Sequence, residues 1–389
     1  MVEGTRADAE APAAVHPAPN ARALSRHTGA HAHRFEVHGA HLNAWCRVPG
    51  SPFADGLLLL PNPPDHGWPA VTFGPIQEER VDAITCLFVS PPRPEHANRL
   101  AVRVRVQTAG GETLAESEIV LGNGDRAPVT LRFGGQSSDG LRLALEVGFD
   151  HFAGGPVYGS VKMRYFAAYA DNELMRLFNS AGSDKGSEVY WGEGVPHMYA
   201  LTYEPLLSAL RERHFNLLEI GLDTASQLTG DPDDAPSLRA WREFFPYATL
   251  FGYDINDFGF FEQRDTRTFQ GDQASPDQLR RFIQENGHPR FTLIVDDGSH
   301  VPSHQQIALA HLFEHLEPRG VYVIEDLSWQ PYEESPTTAE VLRRFMHERR
   351  VESPFIPREC ACILESQIAD VSIYRPNDSE LAVITKATE

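Results

Sequence analysis

The sequence is poor in cysteine, in long apolar runs and in basic charge, and each shortage excludes something. Four cysteines (Cys46, Cys86, Cys360, Cys362) are too few and too scattered for a disulfide framework, and Cys360-Ala-Cys362 lacks a second pair to complete a zinc site. Reduced thiols in a cytoplasmic protein are therefore expected. No apolar run reaches the roughly 18 residues of a membrane span. No apolar core follows Met1-Val-Glu-Gly-Thr-Arg6, so no signal peptide is expected. Lysine and arginine total 34 against 54 acidic residues, a formal net charge of −20. Such a surface repels phosphate backbones, which argues against nucleic acid as a partner.

What is present is enough chain for two domains, at 389 residues. Residues 1–30 are rich in Ala, Pro, His and Arg without periodicity and read as a mobile tail. Residues 31–165 read as all-β. Short alternating runs such as Phe35–His38, Leu100–Val106, Val129–Phe133 and Leu141–Val147 are separated by Gly110-Gly111, Asn123-Gly124-Asp125 and Ser137–Gly140. That spacing suggests a β-sandwich. It could bind a glycan or cover a site; with no convergent polar motif in it, a packing or oligomerisation role is favoured.

From residue 166 to the end the pattern changes. Phe166–Asn179 is helix-like, and apolar runs then recur at Asn216–Ile220, Thr249–Tyr253, Phe291–Val295 and Val321–Ile324. Helical segments such as Pro236–Phe245, Pro276–Asn286 and Gln305–Leu316 lie between them, the last stopped by Pro318 and Gly320. This is a doubly wound parallel α/β sheet. Two alternating runs, Asp370–Tyr374 and Glu380–Thr385, predict a terminal antiparallel hairpin.

The two strands around the Gln305–Leu316 helix each stop on adjacent acids, Asp296-Asp297 and Glu325-Asp326. Neighbouring strands lie about 4.8 Å apart, so the four acids would crowd one crevice at the edge where ligands of such sheets bind. Clustered carboxylates take up protons or a cation, and hard oxygen ligands favour Mg²⁺ or Ca²⁺. Successive side chains diverge, so one acid of each pair can face away, and separate caps and loop acids are the bland alternative. Asp296 is expected on the cofactor side or capping its loop. His300, three residues after Asp297, could be a general base, a metal ligand or a polar helix-start residue. With His304 it could also offer zinc one helical face.

Four other positions follow from strand ends. Gly221, closing Leu217-Leu-Glu219-Ile-Gly221, lets a ligand approach the backbone, although no dinucleotide fingerprint follows it. Asp254, ending the second strand, suits a ribose diol or, more plainly, a loop cap. Asp272 or Gln273, after a short third strand near Thr268-Phe269, could read an adenine edge or simply form a surface turn.

At these residues a resemblance emerges. Ser183-Asp-Lys-Gly186, His197-x-Tyr199, Leu217-Leu-Glu-Ile-Gly221, Trp241…Phe245-Pro246-x-Ala248, Gly252-x-Asp254-Ile255, Asp296-Asp-Gly-Ser-His300 and Glu325-Asp326 together resemble the macrolide sugar O-methyltransferases, in the long form with an N-terminal β-domain. The motifs cover roughly residues 180–330. The resemblance implies a Rossmann-like class I methyltransferase domain over 166–389 that uses S-adenosylmethionine and Mg²⁺ on a deoxysugar hydroxyl of a glycosylated small molecule. It implies Asp297, Glu325 and Asp326 as metal ligands and His300 as base. Cofactor contacts fall to Glu219, Gly221, Asp254, Asp272, Gln273, Asp296 and Tyr199, and a homo-oligomer, tetramer or dimer, is expected. The competing readings are a catechol-type O-methyltransferase and a non-catalytic carbohydrate-binding protein.

Overall fold

The computed structural model describes residues 35–38, 57–59, 61, 68, 70–73, 80–92, 98–137, 140–154, 159–189, 196–222, 235–262, 265–329, 332–377 and 379–388. The expected tail, Cys46 and the turn after Leu222 lie outside them. Up to Tyr169 the described chain forms strands: β1 (Phe35–His38), β2 (Leu57–Leu59), β3 (Ala70–Phe73), β4 (Arg80–Val89), β5 (Arg99–Gln107), β6 (Thr113–Leu121), β7 (Arg126–Ser137), β8 (Arg142–His151) and β9 (Val161–Tyr169). They pair antiparallel in two sheets, ordered β1-β3-β8-β5-β6 and β2-β9-β4-β7.

Period-two alternation explains the pairing of faces. Val102, Val104 and Val106 of β5 are fully buried and meet Ile84, Cys86 and Phe88 of β4, so one apolar core lies between the sheets. The intervening Arg103 and Arg105 point outward. Arg103 bonds Glu118 at 2.7 Å and Glu146 at 3.0 Å, while Arg105 bonds Glu146 at 2.8 Å and Glu116 at 3.1 Å. These are cross-strand pairs that keep an edge-rich face soluble. Cys86, Cys360 and Cys362 are free thiols, and burial pushes that of Cys86 well up.

The helix expected from Phe166 begins later. Phe166–Tyr169 belong to β9, because Phe166, Ala167, Ala168 and Tyr169 pair with Cys86, Thr85, Ile84 and Ala83 of β4. Tertiary pairing overrides the helix preference of the two alanines. The helix runs Glu173–Ala181, where Asn172 caps it by accepting from the Met175 amide at 2.7 Å. The outer face of β4 and β9 packs against this helix: Ala83, Leu87, Tyr165 and Tyr169 share a core with Leu174, Phe178 and Trp241.

The second half contains β10 (Asn216–Ile220), β11 (Thr249–Asp254), β12 (Thr266–Gln270), β13 (Phe291–Asp296), β14 (Leu316–Ile324), β15 (Ile368–Tyr374) and β16 (Leu381–Lys386). Their order is β12-β11-β10-β13-β14-β16-β15. The first five run parallel, and β16 and β15 form the antiparallel hairpin that the alternation predicts. β13 is buried along its whole length because helices cover both faces. One boundary differs from expectation. The crossover helix spans Pro302–Leu312, and β14 starts at Leu316 rather than after Gly320. A register irregularity between Phe291 and Leu293, with Arg319 at φ +64, lets the strand pass through Pro318 without breaking. No described helix is long and apolar enough to cross a membrane.

Candidate active site

The register places the acids. Asp296 pairs with Ile324 across β13 and β14, so Asp297 and Glu325 leave adjacent strands at the same edge. The Glu325 amide donates to the Asp296 carbonyl at 2.9 Å, and the Asp297 amide to the Ile220 carbonyl at 2.9 Å. This close approach needs Gly221. It sits at φ +86, and a Cβ there would lie 2.1 Å from the Asp297 carbonyl oxygen. The glycine read from sequence as room for a ligand is thus first room for the Asp297 backbone.

Asp297, His300 and Asp326 converge. One potential ligand atom from each lies within 4.8 Å of the others, the one such cluster among the described residues. His300 Nε2 is 3.9 Å from Asp326 Oδ2, and its ring meets Trp329 edge-on at 5.2 Å. His300 Nδ1 is buried without a hydrogen-bond partner. His300 and Asp326 both adopt left-handed backbone, at φ +57 and +54. Non-glycine residues rarely hold that conformation unless the surroundings impose it, and such residues gather at functional sites. His304 is not part of this cluster, and its Nδ1 lies 2.8 Å from Ser299 Oγ.

Asp326 is held from its other side. The Tyr199 hydroxyl donates to Oδ1 at 2.7 Å, and His197 Nδ1 lies 3.7 Å from the same oxygen. Tyr199 thus reaches the acid pair, and its ring stacks on His197 at 5.1 Å. Burial alone would raise the Asp326 carboxyl, but His197, His300 and the Tyr199 hydroxyl bring it down to about 2.

Glu325 is occupied within the protein. Tyr203 donates to Oε1, and Lys185 Nζ donates to Oε2 at 2.8 Å. The same ammonium donates to Asp297 Oδ2 and lies 3.8 Å from Glu219 Oε1. Burial would lower the Lys185 ammonium, yet the three carboxylates outweigh it and hold it charged. Burial and the neighbouring Asp297 charge raise Glu325, as two acids sharing one cation require.

The residues expected on the cofactor side are tied into the fold. Asp254 accepts from the Leu222 and Asn256 amides, both at 2.7 Å, and so joins the ends of β10 and β11. Asp272 accepts from the Ala274 amide at 2.8 Å. Gln273 bridges Asp296 Oδ1 at 2.5 Å and the Ser299 amide at 3.1 Å. Asp296 is fully buried, and burial pushes it up to about 7 against hydrogen bonds from Gly298, Gln273 and Tyr322.

Glu219 is also fully buried, with Ser237 Oγ at 2.9 Å and Trp241 Nε1 at 3.3 Å. Burial lifts its carboxyl from 4.5 to about 7, although Lys185 pulls the other way. A carboxyl raised on folding favours the folded state fully below its unfolded pKa, and that advantage is lost as pH rises to the folded value. The difference in unfolding free energy between wild type and Glu219→Gln is therefore expected to move by roughly 3 kcal/mol against wild type from about pH 4.5 to 7. Denaturant titrations at stepped pH measure it, and a flat difference would show that Glu219 stays ionised when buried.

Sequence reading gave no individual role to Lys185, Tyr203 or His197. Lys185 and His197 stood inside quoted motifs, and a lysine between Asp184 and Gly186 in a turn was the one available signal.

No protein-family model matches the chain. Over 140 residues it is 35% identical to the mycinamicin VI 2''-O-methyltransferase of Micromonospora griseorubida, which covers 36% of this chain and 33% of that one. Over 161 residues it is 36% identical to the 8-demethyl-8-(2-methoxy-alpha-L-rhamnosyl)-tetracenomycin-C 3'-O-methyltransferase of Streptomyces olivaceus, covering 41% and 38%. Among solved structures, a methyltransferase from the mycinamycin biosynthetic pathway in complex with Mg, SAH and mycinamycin VI aligns at 26% identity and TM-score 0.45, covering 57% of this chain and 56% of that one. The chain spans between 33% and 38% of the length of these two curated relatives. Across the aligned stretches it is similar to macrolide and polyketide sugar O-methyltransferases, the group its motifs resemble.

Proposed function

We propose that the protein is an O-methyltransferase that uses S-adenosylmethionine and Mg²⁺ to methylate a deoxysugar hydroxyl of a glycosylated natural product. The observation that carries this reading is the convergence of Asp297, His300 and Asp326 at the C-terminal edge of adjacent parallel strands. Two hard carboxylates and a buried, unpartnered imidazole nitrogen are a donor set that suits a divalent cation beside a base. The sequence similarity to sugar O-methyltransferases supports the substrate class. The sheet order, with its antiparallel hairpin, supports a class I methyltransferase domain over 166–389, preceded by a sandwich-like auxiliary domain over 31–165. We further infer a cytoplasmic homo-oligomer, in keeping with the free thiols and the resemblance.

In this reading Asp297, Glu325 and Asp326 would hold Mg²⁺, which when bound would supply Lewis-acid polarisation of a sugar hydroxyl. His300 Nε2 takes the hydroxyl proton, and the Asp326 charge 3.9 Å away stabilises the resulting imidazolium. Tyr199 fixes the rotamer of Asp326, and Gly221 sets the depth at which Asp297 sits. Asp254 would accept from a ribose diol, and Asp272 or Gln273 would face the adenine. Asp296 and Glu219 brace the floor beneath the cofactor. Holding the oxygen in line with the methyl carbon supplies much of the remaining rate.

Incubation with S-adenosylmethionine, Mg²⁺ and a glycosylated macrolide should yield methylated product. Turnover on a catechol alone would redirect the reading to small-molecule aromatic substrates. Absence of cofactor binding by calorimetry would favour a non-catalytic carbohydrate-binding protein.

A further inference from the structure

Lys185 is a buried charge at the acid cluster that the proposed reaction does not use. It is 1% exposed, its ammonium bridges Asp297 and Glu325, and both are proposed metal ligands. We infer that Lys185 is the protein's own occupant of the cation site, holding Asp297 and Glu325 together when no divalent ion is bound and swinging to Glu219 when one is. The inference rests on the metal reading above and deepens it.

The argument is one of space and charge. Mg²⁺ needs carboxylate oxygens at about 2.0–2.1 Å, and the Lys185 ammonium stands 2.8 Å from Glu325 Oε2. Two cations drawn to the same carboxylates repel strongly in a buried site, so both positions cannot be filled together. The backbone that carries Lys185 is fixed. Its carbonyl accepts from the Ala200 amide at 3.2 Å, and the Gly186 amide donates to the Ser183 carbonyl at 3.2 Å. A Cβ on Gly186 would lie 2.1 Å from Asn179 Oδ1, so the loop is packed tightly against the preceding helix. The movable part is the flexible four-carbon stem. Glu219 Oε1, already 3.8 Å from the ammonium, is the acceptor to which it can turn without leaving the site. The fully buried Glu219 then has a role: it keeps the displaced charge paired.

The test is calorimetric titration of MgCl₂ into the full chain, with thermal denaturation read in parallel. Lys185→Met is expected to bind Mg²⁺ at least tenfold more tightly than wild type. Without metal its Tm should fall below that of wild type, and saturating Mg²⁺ should close the gap. Equal or weaker Mg²⁺ binding by Lys185→Met would overturn the inference, since Lys185 would then be a scaffold for the ligands. Glu219→Gln provides a second arm should that variant not fold: loss of the second acceptor should weaken Mg²⁺ binding at least severalfold, and unchanged affinity would overturn the exchange. If wild type and both variants all fail to bind Mg²⁺, the metal reading itself falls, and the inference with it. If wild type binds and the variants do not shift, only the inference falls.

Discussion

Replacing His300 by Ala should cut methyl transfer by about 10²–10⁴-fold, the range for loss of a positioned general base, while S-adenosylmethionine binding is retained. The geometry gives two reasons. The imidazole lies within 3.9 Å of Asp326 and edge-on to Trp329, so it is oriented by contacts outside the proposed cofactor side. Its left-handed backbone is imposed by the loop after Asp297 rather than by a regular helix turn, and Ala leaves that loop in place. Turnover at saturating cofactor, together with calorimetry of cofactor binding, separates the two effects. Unchanged turnover would remove His300 as the base. Parallel loss of cofactor binding would mean that the substitution had disturbed the fold.

The second large effect is expected at Asp326. Asp326→Asn keeps the shape and removes the charge that His197 and His300 face from opposite sides. Because His197, His300 and the Tyr199 hydroxyl hold this carboxyl below the usual carboxylate range, the amide is a true loss of charge. Loss of Mg²⁺ affinity should exceed the roughly 10–100-fold typical of a residue that only orients a ligand. Tyr199→Phe, which removes the hydroxyl that orients Asp326, should fall within that smaller range. Chelation of wild type should abolish turnover, and added Mg²⁺ should restore it. Full activity after exhaustive chelation would refute the metal role, whatever the variants do.

Much of this site was legible because strand ends have addresses. An apolar run that stops on an acid places that acid at the ligand edge of a parallel sheet, whatever the helices between do. Asp297 and Asp326 were placed at that edge this way, and His300 beside them followed from its distance to Asp297 along the chain. The crossover helix and the terminal hairpin were legible from periodicity. Errors came where pairing partners, not local pattern, decide: Phe166–Tyr169 carry helix-favouring alanines yet are strand because β4 lies beside them.

The chain by itself determined two units of different character, a parallel sheet in the second, and four acids gathered at one edge. These follow from period, strand-end position and turn residues, which act over a few neighbours. Only the tertiary structure decided how those acids are balanced. Lys185 lies 112 residues before Asp297 and 140 before Glu325, and nothing local announces their meeting. It also decided that Tyr199 orients Asp326, and that Gly221 admits the Asp297 backbone. Charge compensation in a buried crevice depends on distance in space, and sequence pattern carries distance only along the chain.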